Sequence, residues 1–247
     1  MKKIKNILIL FFLITGLIRV NAQTSTEIEK ATKSGKAIFL VAYSTPGADV
    51  DKAISIANSA KKTLKASPTV IKLNASDAAN SALVTKYRLA GAPLPLILVL
   101  DKNGTIAGGL VLKDATAEKL VEMIPSPKTS ELIKALSEGK SAYIVVYKES
   151  MTTKKSIMDN CAMACGKMDN TCVTVMVALD DKKETKLLQN LKCDVNAKEP
   201  VTYVVNKSGQ VAGTYSGLTD VNTLVSTAKK APAGGCCPGG AKAGGCK

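Results

Sequence analysis

Seven cysteines carry most of the chemistry available to this chain, and three of them, Cys236, Cys237 and Cys246, fall in the stretch APAGGCCPGGAKAGGCK. Thiolates bind soft metals such as Cu(I) and Zn, and they exchange with disulfides. Neighbouring Lys side chains favour the thiolate form. A bond between the adjacent Cys236 and Cys237 closes a small strained ring, so the pair is better suited to sharing a third partner, which Cys246 can loop back to supply. Residues 231–247 are mostly Gly, Ala, Lys and Cys without apolar periodicity, which reads by composition as a flexible tail. A metal-binding arm, a partner for mixed disulfides and an idle extension all remain open for it. Because seven is odd, at least one cysteine is free, metal-bound or joined to another molecule.

The other four are Cys161, Cys165, Cys172 and Cys193. Cys161 and Cys165 lie in the later half of a predicted helix, where activation by the helix dipole has faded. At i and i+4 their Cβ atoms stand about 5–6 Å apart, whereas a disulfide wants about 3.5–4.5 Å. Pairing with Cys172 or Cys193 is therefore easier, and the turn GKMDNT brings Cys165 near Cys172 in sequence. The same spacing offers two thiolates on one helix face to a soft metal. Ile157, Cys161, Ala164 and Met168 also follow a stripe that would face a sheet, where a free thiol packs as a small hydrophobe. Structural disulfide, buried free thiol and metal site all stand as alternatives. Histidine is absent, so imidazole is excluded as ligand, general base or pH switch.

The compartment follows from the first residues. MKKIKN is a short basic leader, ILILFFLITGLI is an apolar run too short to span a bilayer, and Val20-Asn21-Ala22 offers small residues for cleavage. Residues 1–22 read as a secretory signal and the protein as periplasmic or secreted, a setting in which disulfides persist. No later apolar stretch is long enough to be a membrane span. The leader carries four of the 34 basic residues and none of the 20 acidic ones, so the remainder keeps a net charge of +10. That surplus is spread along the chain, and beyond the leader there are one Phe, six Tyr and no Trp. Most of the Tyr sit in apolar runs, so a solvated basic surface is expected rather than a nucleic-acid interface.

These residues are positioned by a repeat. At a shift of 104, SGKAIFLVAYS (34–44) lies on EGKSAYIVVYK (138–148), TEIEKATK on SELIKALS, and VIKLNASD on VMVALDD, which places Asp77 on Asp181. With one inserted residue in the second copy, PLILVLDKNG (95–104) then lies on PVTYVVNKSG (200–209). Each copy predicts a leading helix, a strand, a long helix, a second strand, a further helix, a Pro-led strand, a turn, a last strand and a terminal helix. In the first copy these are 26–33, 38–43, 50–65, 70–73, 77–88, 96–100, the Asn103-Gly104 turn, 106–111 and 116–123. Thr26 and Ser130 are the expected N-caps of the leading helices. The organisation is an α/β chain with one domain over 23–124, a PSPK linker at 125–128 and a second domain over 129–230, each a mixed sheet covered by helices.

This element order, with a Pro ahead of the third strand, resembles the thioredoxin-like fold, as two tandem copies covering nearly the whole chain after the leader except the tail. The resemblance implies a cis proline before that strand, beside the family's active site: Pro95 in the first copy and Pro200 in the second. Pro93 competes for the role, but the nine-residue spacing from Pro to turn Gly, shared by both copies, favours Pro95. The resemblance also places the family's Cys-x-x-Cys at the start of the long helix. There the corresponding positions are Ala48 and Asp51 in the first copy and Thr152 and Lys155 in the second. Neither YSTPGADVDK (43–52) nor YKESMTTKKS (147–156) contains a cysteine, so dithiol exchange at that site is excluded.

No catalytic residue and no definite cofactor are specified. The expectation is an exported, non-catalytic protein that binds a protein or peptide partner through two degenerate copies. The alternatives are soft-metal binding, with Cu(I) or Zn held by cysteine, and a thiol-disulfide enzyme whose redox pair has moved into the tail.

Overall fold

The computed structural model describes residues 23–231. The leader at 1–22 and the tail cysteines Cys236, Cys237 and Cys246 lie outside the described residues. The first repeat contains α1 (Gln23–Lys33), β1 (Ile38–Tyr43), α2 (Ala48–Lys62), β2 (Thr69–Asn74), α3 (Ser81–Lys86), β3 (Leu96–Leu100), β4 (Ile106–Val111) and α4 (Ala117–Glu122). The second contains α5 (Pro127–Ser137), β5 (Ser141–Tyr147), α6 (Lys154–Gly166), β6 (Cys172–Ala178), α7 (Thr185–Asn190), β7 (Val201–Val205), β8 (Val211–Ser216) and α8 (Val221–Ala228). Among the described residues no helix is long and apolar enough to cross a membrane.

Each repeat builds one four-stranded mixed sheet, ordered β2-β1-β3-β4 in the first and β6-β5-β7-β8 in the second. The strand joined to its neighbour through a long helix pairs parallel, β1 with β2 and β5 with β6. The hairpin strands pair antiparallel, β3 with β4 and β7 with β8. A parallel pair needs a crossover, which α2 and α6 supply, whereas antiparallel strands close through a short loop. The chain is therefore two tandem thioredoxin-like domains, each a mixed sheet covered by helices.

The apolar runs are continuous because both sheet faces are covered. In the first domain Ile38, Leu40 and Ala42 pack with Ile71, Leu73, Leu98 and Leu100 under Ile28 of α1 and Tyr87 after α3. Phe39, Val41, Ile97 and Val99 turn to the other face against Ala53, Ala57 and Ala60 of α2 and Leu120 of α4. The second domain places Ile157, Cys161 and Ala164 at the positions of those three alanines.

Several boundaries differ from expectation for local reasons. The leading helices start earlier, at Gln23 and Pro127, so Thr26 and Ser130 are interior rather than caps. Ser126 caps α5 instead, its Oγ accepting the Thr129 N–H at 3.2 Å, and Pro127 takes the first helical position, where a missing N–H costs nothing. The stretch read as a linker at 125–128 thus gives its last two residues to α5, and the boundary between the two compact units falls inside that helix, between Ile133 and Lys134. The expected helix at 77–88 opens as a 3-10 turn, Ala78–Asn80, capped by Asp77 accepting the Ala79 N–H at 2.9 Å. Asp181 does the same for Lys183 in the second domain, also at 2.9 Å.

The hairpin loops are tied down by their first residue. The buried Asp101 carboxylate accepts the N–H groups of Asn103 and Thr105, each at 2.8 Å. Asn206 repeats the arrangement with the N–H groups of Ser208 at 3.0 Å and Gln210 at 3.1 Å. Gly104 and Gly209 sit in the left-handed region, at φ 76° and 81°, which a side chain disfavours.

Candidate functional site

A cleft of about 380 Å³ opens in the first domain where β1 ends, α2 begins and the chain enters β3. The loop Tyr43–Gly47, the first turn of α2, Leu94 and Pro95 line it. Ala48 is the first residue of α2 and Asp51 is exposed in the same turn, so both stand at the helix N-terminus. The Leu94–Pro95 peptide bond is cis.

The walls combine the side chains of Tyr43, Ser44, Thr45 and Asp49 with exposed backbone, and contain no thiol. Gly47 is the N-cap of α2 and supplies no side-chain hydrogen bond, while its carbonyl accepts the N–H groups of Val50 and Asp51. Among the described residues, the N–H groups of Ala48 and Asp49 make no backbone hydrogen bond, and neither do the N–H and C=O of Leu94. A helix N-terminus leaves such donors pointing outward with the positive end of the helix dipole behind them. The site can accept carbonyl oxygens or a carboxylate and can pair with an extended main chain at Leu94. No cysteine lines it, so it offers no thiol nucleophile.

The second domain fills the matching place. Met151, at the position of Gly47, is buried, and its Sδ lies 3.2 Å from the Lys148 N–H. Lys154 pairs with Glu149 and lies over the Tyr147 ring, 5.2 Å from its centre, so the loop is laced to the helix start. Hydrogen bonding to Lys154 holds the Glu149 carboxyl below the usual carboxylate range. Thr152 lies in the turn before α6, and Lys155 is the helix's second residue, paired with Asp159 at 2.9 Å.

Pro200 corrects the expectation of a second cis proline: its preceding bond is trans, and the ring is buried. The reason lies in the approach to the strand. The first domain turns at Leu89–Ala92 with Gly91 left-handed, whereas the second, one residue longer, turns at Asp194–Ala197 with the Asp194 carboxylate accepting the Asn196 N–H at 2.8 Å. The longer path reaches β7 through the trans bond that X–Pro prefers by about 0.5–1 kcal/mol.

The four thiols of the second domain separate into different roles. Cys165, in the last turn of α6, is joined to Cys172, the first residue of β6, with Cα atoms 5.3 Å apart. Cys161 is a free, fully buried thiol in the apolar cluster, and burial pushes its pKa up to about 12. Cys193 is free and half-buried, its pKa raised by desolvation and partly offset by a hydrogen bond with Tyr203. The pairing of Cys161 with Cys165 around a soft metal is therefore corrected: one thiol is spent in a disulfide and the other is packed as a hydrophobe. Among the described residues no group of three or more Cys, Asp or Glu side chains is placed to hold a metal.

Sequence reasoning missed Met151 and Leu94. The first was signalled by Gly47 facing Met151 in the repeat register. The second had no side-chain signal, because its contribution is main chain.

No protein-family model and no curated protein matches the chain. Solved structures do. The first two thioredoxin domains of Saccharomyces cerevisiae Eps1p are similar at 10% identity and a TM-score of 0.30, over 86% of this chain and 98% of that one. The zinc-bound form of human ERp44 is similar at 10% identity and a TM-score of 0.35, over 83% of this chain and 57% of that one. The NTD_N/C domain of alkylhydroperoxide reductase AhpF from Enterococcus faecalis is similar at 12% identity and a TM-score of 0.27, over 82% of this chain and 97% of that one.

Proposed function

From two thioredoxin-like domains without a cysteine at either helix start, we propose that this is an exported, non-catalytic binding protein that holds an extended peptide segment in the first domain. One observation carries the reading: the cleft gathers backbone groups of Ala48, Asp49 and Leu94 that make no backbone hydrogen bond among the described residues, beside Pro95 and without a thiol in its lining. Main-chain pairing with an extended peptide gives affinity without demanding one sequence, and the helix N-terminus favours carbonyl or carboxylate groups on the ligand. Export is supported by the leader at 1–22 and by the Cys165–Cys172 disulfide, a bond that persists in oxidising compartments. Soft-metal binding by Cu(I) or Zn now rests on Cys236, Cys237 and Cys246 alone.

Fluorescence anisotropy with a panel of labelled unfolded peptides tests the reading, comparing the full chain with Gly47→Met. That substitution copies the second domain; a Cβ at Gly47 meets nothing within 4 Å, and the backbone there is extended. Binding by the native protein that falls at least about tenfold in the variant, with melting unchanged, is the expected result. Equal binding by both proteins, or none by either, overturns it.

A further inference from the structure

Three lysines without a counter-charge meet at one end of the second domain. A cavity of about 350 Å³ opens there, where β5 and β6 begin, β7 ends and α8 runs out, at the end of β5 opposite Tyr147. Ser141, Thr171, Lys207, Ser208, Lys229 and Lys230 are among its lining residues, and no Asp or Glu is. Among the described residues none of these three lysines is in an ion pair, whereas Lys134, Lys140, Lys154 and Lys155 of the same domain each hold a carboxylate. Glu138, the acid beside the lining residue Gly139, is already taken up by Lys134 and Lys140.

Ser141 brings a donor that the fold itself does not need. Its side chain is 3% exposed, and its hydroxyl donates to the Ala228 carbonyl at 3.4 Å. Hydroxyl donors normally sit about 2.5–3.0 Å from an oxygen, so this buried group is weakly held. The first domain has Ala37 at the same position. Counted from the buried Leu120 and Leu224 of the last helices, Pro125 and Ser126 stand where the second domain has Lys229 and Lys230, and only Lys102 matches Lys207. The hydroxyl and two of the charges are thus features of the second copy and not of the repeat. The negative end of α8 also lies here, but side chains already cover it: the Ala228 carbonyl accepts Ser141, and the Lys230 carbonyl accepts Asn206 at 3.1 Å. A helix end carries about −0.5 charge, which the lysines outweigh.

We propose that this cavity binds a small, multiply charged phosphate anion of the diphosphate type. Converging like charges repel one another, and an anion placed among them replaces that repulsion with attraction. Lysine ammonium groups bind phosphate as point charges, and phosphate oxygens accept from several donors at once. The Ser141 hydroxyl turns from the Ala228 carbonyl to one phosphate oxygen, while Lys207, Lys229 and Lys230 surround the others. Ser208 offers a further, exposed hydroxyl. Thr171 does not, because its hydroxyl already donates to the Met168 carbonyl at 2.6 Å. The volume lies at the small end of the range for ligand clefts, about 300–1,000 Å³, which suits a compact anion rather than a long one. A single carboxylate would leave most of the lysine charge uncompensated, so an anion carrying several charges is preferred.

Isothermal titration calorimetry of the full chain with inorganic pyrophosphate, in buffer of low ionic strength, tests the site. One saturable site per chain is expected, with inorganic phosphate bound at least about tenfold more weakly. Lys207→Gln combined with Lys230→Gln should weaken pyrophosphate binding at least about tenfold, and Ser141→Ala, which copies Ala37, at least about threefold. Lys62→Gln combined with Lys65→Gln removes the same charge from the first domain and should change binding by less than about twofold. All four lysines are exposed, so both double variants should melt with the native protein. No saturable binding by the native chain overturns the proposal, as does equal weakening in the two double variants or undiminished affinity in Ser141→Ala. The readout does not involve peptide binding, so failure here leaves the first domain's proposed function standing.

Discussion

Gly47 and Met151 stand at matched positions of the two domains, and they leave one helix start open and the other filled. Gly47 caps α2 with no side chain over the cleft, while the buried Met151 folds back so that its sulfur meets the Lys148 N–H at 3.2 Å. Two copies of one fold thus differ at the start of the long helix. Replacing Met151 with Ala removes buried apolar volume and should cost about 2–4 kcal/mol. Urea denaturation followed at the second domain would measure it, and a loss under about 1 kcal/mol would show that Met151 is not a packed plug.

The same pair predicts a contrast in stability. Gly47→Met adds a side chain at an exposed position with extended backbone, so its stability change should stay within about 0.5 kcal/mol. A melting shift of many degrees would mean that the loop before α2 cannot carry a side chain, and the blocking experiment would then need a different residue.

Cys161 should make the second domain sensitive to alkali. Its thiol has an ordinary value of 9.0 and is pushed to about 12 by burial, so the protonated form is favoured by folding. That contribution is complete below about pH 9 and is lost as pH rises toward 12. Burial moves Tyr87 and Tyr143 the same way, from 10.0 to about 12, adding losses that begin higher. Cys161→Ala, which copies Ala57, should cost about 0.5–1.5 kcal/mol at neutral pH and flatten the stability curve between pH 9 and 10. An unchanged curve in that window would contradict the burial of the thiol.

Breaking the disulfide should be costly although its loop is short. Cys165 and Cys172 are separated by seven residues, and closing a loop of that size is worth about 2–3 kcal/mol through the entropy of the unfolded chain. Cys172→Ser should reduce the unfolding free energy of the second domain by that amount, read from denaturant unfolding, and leave the first unaffected. Equal stability with and without reductant would show that the bond contributes nothing to folding.

Asp101 and Asn206 provide an internal comparison of hairpin loops. Asp101→Asn keeps an acceptor for the Asn103 and Thr105 N–H groups, as Asn206 does in its own loop, and should cost under about 1 kcal/mol. Asp101→Ala leaves both donors without that acceptor and should cost about 2–3 kcal/mol. Equilibrium unfolding of the two variants separates these cases, and indistinguishable losses would mean that solvent replaces the carboxylate freely.

Local pattern was enough to place the strands Ile38–Tyr43, Leu96–Leu100 and Ile106–Val111, because apolar runs bounded by Gly, Asp and Asn report strand burial directly. The repeat register carried those assignments to the second domain and showed that no thiol stands at either helix start. Helix boundaries were less legible: the first turns of α1 and α5 contain no periodic apolar residue, and Ser126 caps α5 from within a stretch that reads as a linker. The sequence by itself determined the architecture and the absence of a cysteine at either helix start, since both are matters of residue type in order along the chain. Only the tertiary structure decided that Cys165 joins Cys172 while Cys161 lies buried, that Pro95 follows a cis bond while Pro200 follows a trans one, and that Met151 fills what Gly47 leaves open. Those outcomes depend on which groups meet across helix, strand and loop, and such meetings are set by packing in space rather than by neighbours in sequence.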